Sequence, residues 1–166
     1  MSAKPSYLKL LNAIAVAERD AGEYLTAWAE VTPSEDVRRV IRTIALRESE
    51  HGLAFAKRID ELGYQVIPRP DPRHDDRMAI ASSTALTDRE KFEQLGLTRE
   101  PQAGTPDVFD RFFENKDLDP VTGGLLGRYV AEERDSGRRF AACYASLPAR
   151  KRAARKAAAP SKRASR

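Results

Sequence analysis

Three stretches of this chain carry one pattern, and that pattern leaves few folds open. Reading outward from Glu18, positions −7, −4, 0, +3, +4 and +7 are Leu11, Ile14, Glu18, Ala21, Gly22 and Leu25. The same offsets give Ile41, Ile44, Glu48, His51, Gly52 and Phe55 around Glu48, and Leu126, Tyr129, Glu133, Ser136, Gly137 and Phe140 around Glu133. Residues three, four and seven apart share one face of a helix. Each stretch therefore predicts an amphipathic helix with a glutamate in the middle of its apolar stripe.

The stripes predict long helices over about Pro5 to Val31, Glu35 to Leu62 and Pro120 to Leu147, each about 27 residues and roughly 40 Å long. Pro5 is acceptable in a first turn. The segment "TPSED" caps the second helix and Gly63 stops it. Asp119-Pro120 opens the third and Pro148 closes it. Between the second and third, Pro68, Pro70 and Pro72 at alternate positions favour an extended linker carrying an exposed His74. Residues 77–97 read either as one helix or as a short helix starting near Thr87; Thr87 with Glu90 is a capping-box pattern, which favours the shorter form. The segment "TPDVFDRFFEN" predicts one more short helix, with Thr105 as cap and Pro106 in its first turn. Strand patterns are absent, so the fold class is all-α, most simply an antiparallel bundle.

At 166 residues the chain fits one domain with a sizeable core. No run of 18 apolar residues and no charged-then-apolar leader is present, so the expectation is no membrane span and a cytoplasmic protein. Cys143 is the one cysteine, which excludes an internal disulfide and a four-cysteine iron or zinc module. The net charge of +4 conceals two parts. From Leu147 onward there are eight Lys/Arg and no acid; removing those eight from 29 leaves 21 basic against 25 acidic residues, a body of net charge −4. Residues 1–147 are thus expected to form the bundle. Residues 148–166 are expected to form a disordered basic tail, either a solubilising appendage or a non-specific contact with nucleic acid or another polyanion.

Helical phase decides where the charges point. Glu48 falls in the middle of its stripe and His51 lies on it, whereas Glu50 points away. Glu132 sits at the edge of the third face and Asp135 points outward. Because each central glutamate lies near the midpoint of its helix, side-by-side packing brings Glu18, Glu48 and Glu133 into one layer. Two carboxylates about 5 Å apart repel by roughly 3 kcal/mol at an effective dielectric near 20, before any desolvation cost. Protons, cationic side chains or a metal must compensate. Arg19 and Arg134 follow two of the glutamates but project off the apolar face, leaving His51 as the inward base. Carboxylate oxygens with one imidazole suit iron, manganese or zinc better than calcium. The glycine four residues after each glutamate costs roughly 1 kcal/mol in a helix interior and permits closer helix approach beside the layer. Tyr129, one turn before Glu133, reads as core filler or as a hydrogen-bond donor to a ligand carboxylate. Tyr24 and Trp28 read as packing residues.

This arrangement resembles the ferritin-like, rubrerythrin-like diiron-carboxylate superfamily, in which a four-helix bundle contributes a Glu from two helices and Glu-x-x-His from the other two. The resemblance covers residues from about 5 to 147. It implies that Glu18 is the single glutamate of a first helix, that Glu48 and His51 are the bridging glutamate and histidine of a second, and that Glu133 is the bridging glutamate of the last. It also implies iron as cofactor and oxidase, peroxidase or ferroxidase chemistry on dioxygen or peroxide. Two departures stand out. Ser136 occupies the place of the second histidine, and the family's third helix is poorly matched. If 75–96 is one helix, Asp88 lies on its inner stripe as a fourth carboxylate ligand; if the helix starts at Thr87, Asp88 is a first-turn acid favoured by the helix dipole. The absence of a cysteine cluster excludes a rubredoxin-type electron-transfer module. A homodimer is a further expectation, since a second copy can supply a missing ligand or helix. The competing reading is a bundle of the same descent whose site has decayed into a structural or binding module.

Overall fold

The computed structural model describes residues 4–98 and 109–149. They form α1 (Leu8–Val31), α2 (Glu35–Glu61), α3 (His74–Ser82), α4 (Asp88–Leu95), a 3-10 turn (Asp110–Phe113) and α5 (Pro120–Ser146), with no strand among the described residues. The expected all-α helical bundle is present. Thr105 and Pro106 lie outside the described residues, as do positions 150–166 of the basic tail. No helix among the described residues is long and apolar enough to cross a membrane.

Local chemistry sets the boundaries. Ser34 caps α2 by accepting from the Val37 amide, and Gly63, at φ +80°, turns the chain away after it. Asp119 caps α5 by accepting from the Val121 and Thr122 amides at 3.0 Å each. Asp119 also ties three helix ends together: it accepts from Tyr7 Oη at 2.6 Å and pairs with Arg58 at 3.0 Å. Burial pushes the Asp119 carboxyl up, but hydrogen bonds from Thr122, Tyr7 and Arg58 outweigh it and hold it well below the usual carboxylate range.

The middle region bears out one expectation in part and corrects another. The short helix favoured to start near Thr87 is present as α4, and residues 77–82 belong to a further helix, α3, from which it is separated by Ser83–Thr87. The capping box at Thr87 and Glu90 is present, with Thr87 N–H donating to Glu90 at 3.0 Å and Glu90 N–H to Thr87 at 3.3 Å. The proline-rich linker ends at Arg73, so His74 opens α3 and is half-buried.

The core has two apolar clusters. One joins Leu25, Trp28, Ile41, Ile44, Phe92 and Phe140; the other joins Leu11, Ile14, Phe55, Ile59, Leu126 and Tyr129. On α1 the low-numbered residues belong to the second cluster, on α2 to the first, and on α5 to the second again. Hence α2 runs antiparallel to α1 and α5, and the segments around Glu18, Glu48 and Glu133 lie between the clusters. α3 and α4 cover the first cluster through Ala81 and Phe92, while Phe109 and Phe112 cover the second.

Candidate metal centre

The layer between the clusters is polar and enclosed. Glu18, Glu48 and His51 are 6 %, 5 % and 5 % exposed, and Glu133 is half-buried. One ligand-capable atom from each lies within 4.8 Å of every other. The four residues that the helical phase directs inward are therefore together, contributed by α1, α2 and α5.

The close approach of α1 and α2 depends on the glycines of the repeat. A Cβ on Gly52 would lie 3.0 Å from the Arg19 backbone nitrogen, and one on Gly22 would lie 2.4 Å from Ser49 Oγ and 3.2 Å from its backbone nitrogen. Residues with side chains at these two positions would push the helices apart beside Glu18 and Glu48.

Hydrogen bonding leaves a definite set of atoms free. Tyr129 Oη donates to Glu18 Oε1 at 2.9 Å, and His51 Nε2 meets Glu132 Oε2 at 2.7 Å. Glu132 is itself held by Arg128 Nε at 3.0 Å. Glu18 Oε2, His51 Nδ1 and Glu133 Oε1 are buried without a hydrogen-bond partner. They face one another: His51 Nδ1 lies 3.5 Å from Glu18 Oε2 and 3.6 Å from Glu133 Oε1. Charge-assisted hydrogen bonds close to about 2.7–2.9 Å, so these spacings are longer than such bonds, though within ion-pair distance of a protonated His51. Around a cation with ligand distances near 2.1 Å, tetrahedral donors lie roughly 3.4 Å apart. The orphaned atoms and their chemistry fit a bound metal ion.

The protonation pattern follows from the same geometry. Burial, then contact with Glu18 and the negative charges of Glu18 and Glu133, pushes the Glu48 carboxyl up to about 11. Burial and the Glu18 charge raise Glu133 to about 7, against the opposing influence of His51, Glu48 and Arg47. For Glu18, burial acts upward but the contacts with His51, Glu48 and Tyr129 outweigh it, and its carboxyl is lowered. Burial acts downward on His51, yet Glu18 and Glu132 raise it above the ordinary imidazole value. Without a cation, the layer keeps a proton on Glu48 near neutral pH.

Other sequence readings resolve residue by residue. Glu50 is exposed and pairs with Arg128 at 3.8 Å, as its phase predicts. Arg19 and Arg134 turn away, Arg19 to Asp20 at 2.8 Å and Arg134 to Asp110 at 3.6 Å. Tyr129 packs edge-on against His51 and Phe55, as expected of a core residue, and its hydroxyl donates to Glu18. Trp28 packs edge-on against Phe92. Asp88 does not join the cluster. It begins α4 and accepts from Trp28 Nε1 and Thr32 Oγ1, each at 2.7 Å. Trp28 is ten residues beyond Glu18, roughly 15 Å along α1. Both Asp88 oxygens are thus occupied at the other end of the first cluster, and the expected ligand role is corrected to a structural one.

Two contributors escape sequence reasoning. Phase puts Glu132 at a face edge, yet it holds His51; the adjacent acidic pair Glu132-Glu133 is the signal for it. Arg47 carries no such signal, although it approaches the layer's rim, donating to Asp135 Oδ2 at 2.7 Å and to Ser136 Oγ at 3.4 Å. Asp135, expected to point outward, is half-buried, and its hydrogen bonds with Arg139 and Arg47 lower its carboxyl to about 2. A shallow groove lined by Glu50, His51, Ala54, Leu125, Arg128 and Tyr129 opens onto the histidine.

No protein-family model, curated protein or solved structure matches this chain. Its fold and side chains define a helical bundle with an internal carboxylate–histidine layer.

Proposed function

We propose that this protein is a ferritin-like metal-carboxylate protein, with Glu18, Glu48, His51 and Glu133 holding iron in an oxidoreductase centre that acts on dioxygen or peroxide. The observation that carries this reading is the convergence of three buried, unpartnered donor atoms on one point. Three carboxylates and one imidazole accommodate manganese and zinc as well, so the donor set sets the class of ion. Bound there, iron supplies one-electron redox chemistry toward an oxygen substrate. In this reading α1, α2 and α5 are three helices of a ferritin-like bundle, and the described segments between α2 and α5 take the place of a fourth; the packing of α3 on α1 and of α5 on α2 supports it.

The chain's own residues prepare the site. Glu132 accepts the His51 Nε2 proton and so presents Nδ1 as a lone pair, the role a carboxylate commonly plays behind a ligating histidine. Tyr129 occupies Glu18 Oε1 and leaves Oε2 free. Glu48 gives up its proton when a cation replaces it, which couples loading to proton release. The groove beside His51 and Arg128 provides a route for a small molecule.

A metal-free structural bundle is the second reading, and the proton retained by Glu48 favours it, because it lowers the layer's charge without an ion. Metal content separates the two. Protein purified from iron-supplemented cells is expected to contain iron, manganese or zinc, to lose it in Glu48→Ala and to keep it in Glu50→Ala. Less than about a tenth of an equivalent of these metals in the wild type would refute the metal centre.

A further inference from the structure

We propose that the centre accepts a single divalent ion, and that Arg47 provides the fixed positive charge on its α5 side where a second ion would otherwise sit. This inference rests on the metal centre proposed above. The unpartnered atoms define one focus, since Glu18 Oε2 and Glu133 Oε1 both face His51 Nδ1. Several of the oxygens around that focus are already occupied by protein. Glu18 Oε1 receives the Tyr129 hydroxyl proton, and Glu132 Oε2 and Oε1 are taken by His51 and Arg128. Asp135 is bound by Arg47, Arg138 and Arg139.

Ser136 and Arg47 complete the argument. Ser136 lies one turn after Glu133 and is 2 % exposed, with its Oγ turned to the Arg47 guanidinium rather than to the layer's free atoms. A hydroxyl is a poor ligand, and a guanidinium beside it repels a metal ion while favouring carboxylates. Ionised Glu18, Glu48 and Glu133 carry −3, which one divalent ion reduces to −1 beside the Arg47–Asp135 ion pair. A second divalent ion would leave a surplus of positive charge in a largely buried layer.

The test is a cobalt(II) titration of the metal-depleted full-length chain, followed by the visible spectrum and by equilibrium dialysis with elemental analysis. The expected result is a break at one equivalent per chain. Two equivalents would overturn the single-ion inference and leave the metal centre standing, whereas no binding would overturn both. Ser136→His alone is expected to stay at one equivalent. Arg47→Ala combined with Ser136→His is expected to rise to two, with circular dichroism reporting that the bundle is intact. An intact double variant remaining at one, or the single variant reaching two, would overturn the role assigned to Arg47.

Discussion

At the scale of residues, the informative feature is how each polar atom of the layer is used. Glu132 and Tyr129 touch the proposed ligands, and each removes one hydrogen-bonding option from a neighbour: Glu132 engages His51 Nε2 and Tyr129 engages one Glu18 oxygen. Carboxylates behind ligating histidines contribute about 10- to 100-fold to metal affinity. Glu132→Ala is therefore expected to weaken cobalt(II) binding by about that factor while keeping the wild-type stoichiometry. Tyr129→Phe keeps the ring packing against His51 and Phe55 and releases Glu18 Oε1, so a smaller loss of affinity is expected. Equilibrium dialysis of both variants is the measurement; unchanged affinity in Glu132→Ala would show that His51 is positioned by other means.

At the scale of elements, α1, α2 and α5 are legible in the sequence because long amphipathic periodicity outweighs uncertainty at a few positions. Their observed ends fall within a few residues of the expected ones, Ser34 and Asp119 being strong caps. The middle is less legible. α3 and α4 are nine and eight residues long, too short for a stripe to declare its phase, and the break at Ser83–Thr87 looks like part of a helix until the Thr87 cap is weighed. Asp88 is ambiguous in the sequence for this reason. The layer's four inward residues follow from phase alone, whereas Glu132 and Arg47 reach it from face edges with long side chains, which phase places poorly.

The glycines test the element-scale reading by giving one substitution opposite signs. Gly52→Ala would bring a methyl within 3.0 Å of the α1 backbone, which cannot swing aside like a side chain. Such overpacking typically costs about 1–3 kcal/mol, more than the helix propensity gained. Gly124 in α5 faces open space, with no neighbouring atom within 4 Å of where a Cβ would stand, so Gly124→Ala is expected to stabilise by about 0.5–1 kcal/mol. Urea denaturation of the two variants checks the contrast, and a Gly52→Ala protein as stable as wild type would remove the close-approach explanation for the repeat.

At the scale of the whole molecule, the buried layer ties folding to pH and, under the proposed metal centre, to metal. Without metal, Glu48 is protonated up to about 11 and Glu133 up to about 7 in the native state, whereas the ordinary glutamate value is 4.5. Above pH 4.5 the native state therefore binds more protons than the unfolded chain, and stability falls as pH rises. His51 acts in the same direction, because its folded value is raised above 6.5 and its contribution fades as pH climbs through that folded value. Glu18 is lowered, so its contribution is lost only as pH falls below 4.5. Each proton difference gives a slope of about 1.4 kcal/mol per pH unit where it is fully developed. Chelator-treated protein is thus expected to show a falling urea midpoint from pH 5 to 8, and Glu48→Gln to flatten that fall. If the layer holds metal as proposed, adding cobalt(II) is expected to reverse the trend, because ligands must be deprotonated and the stabilisation grows with pH. A metal-free midpoint that rises over this range would mean that the layer's carboxylates are ionised and neutralised by something other than protons.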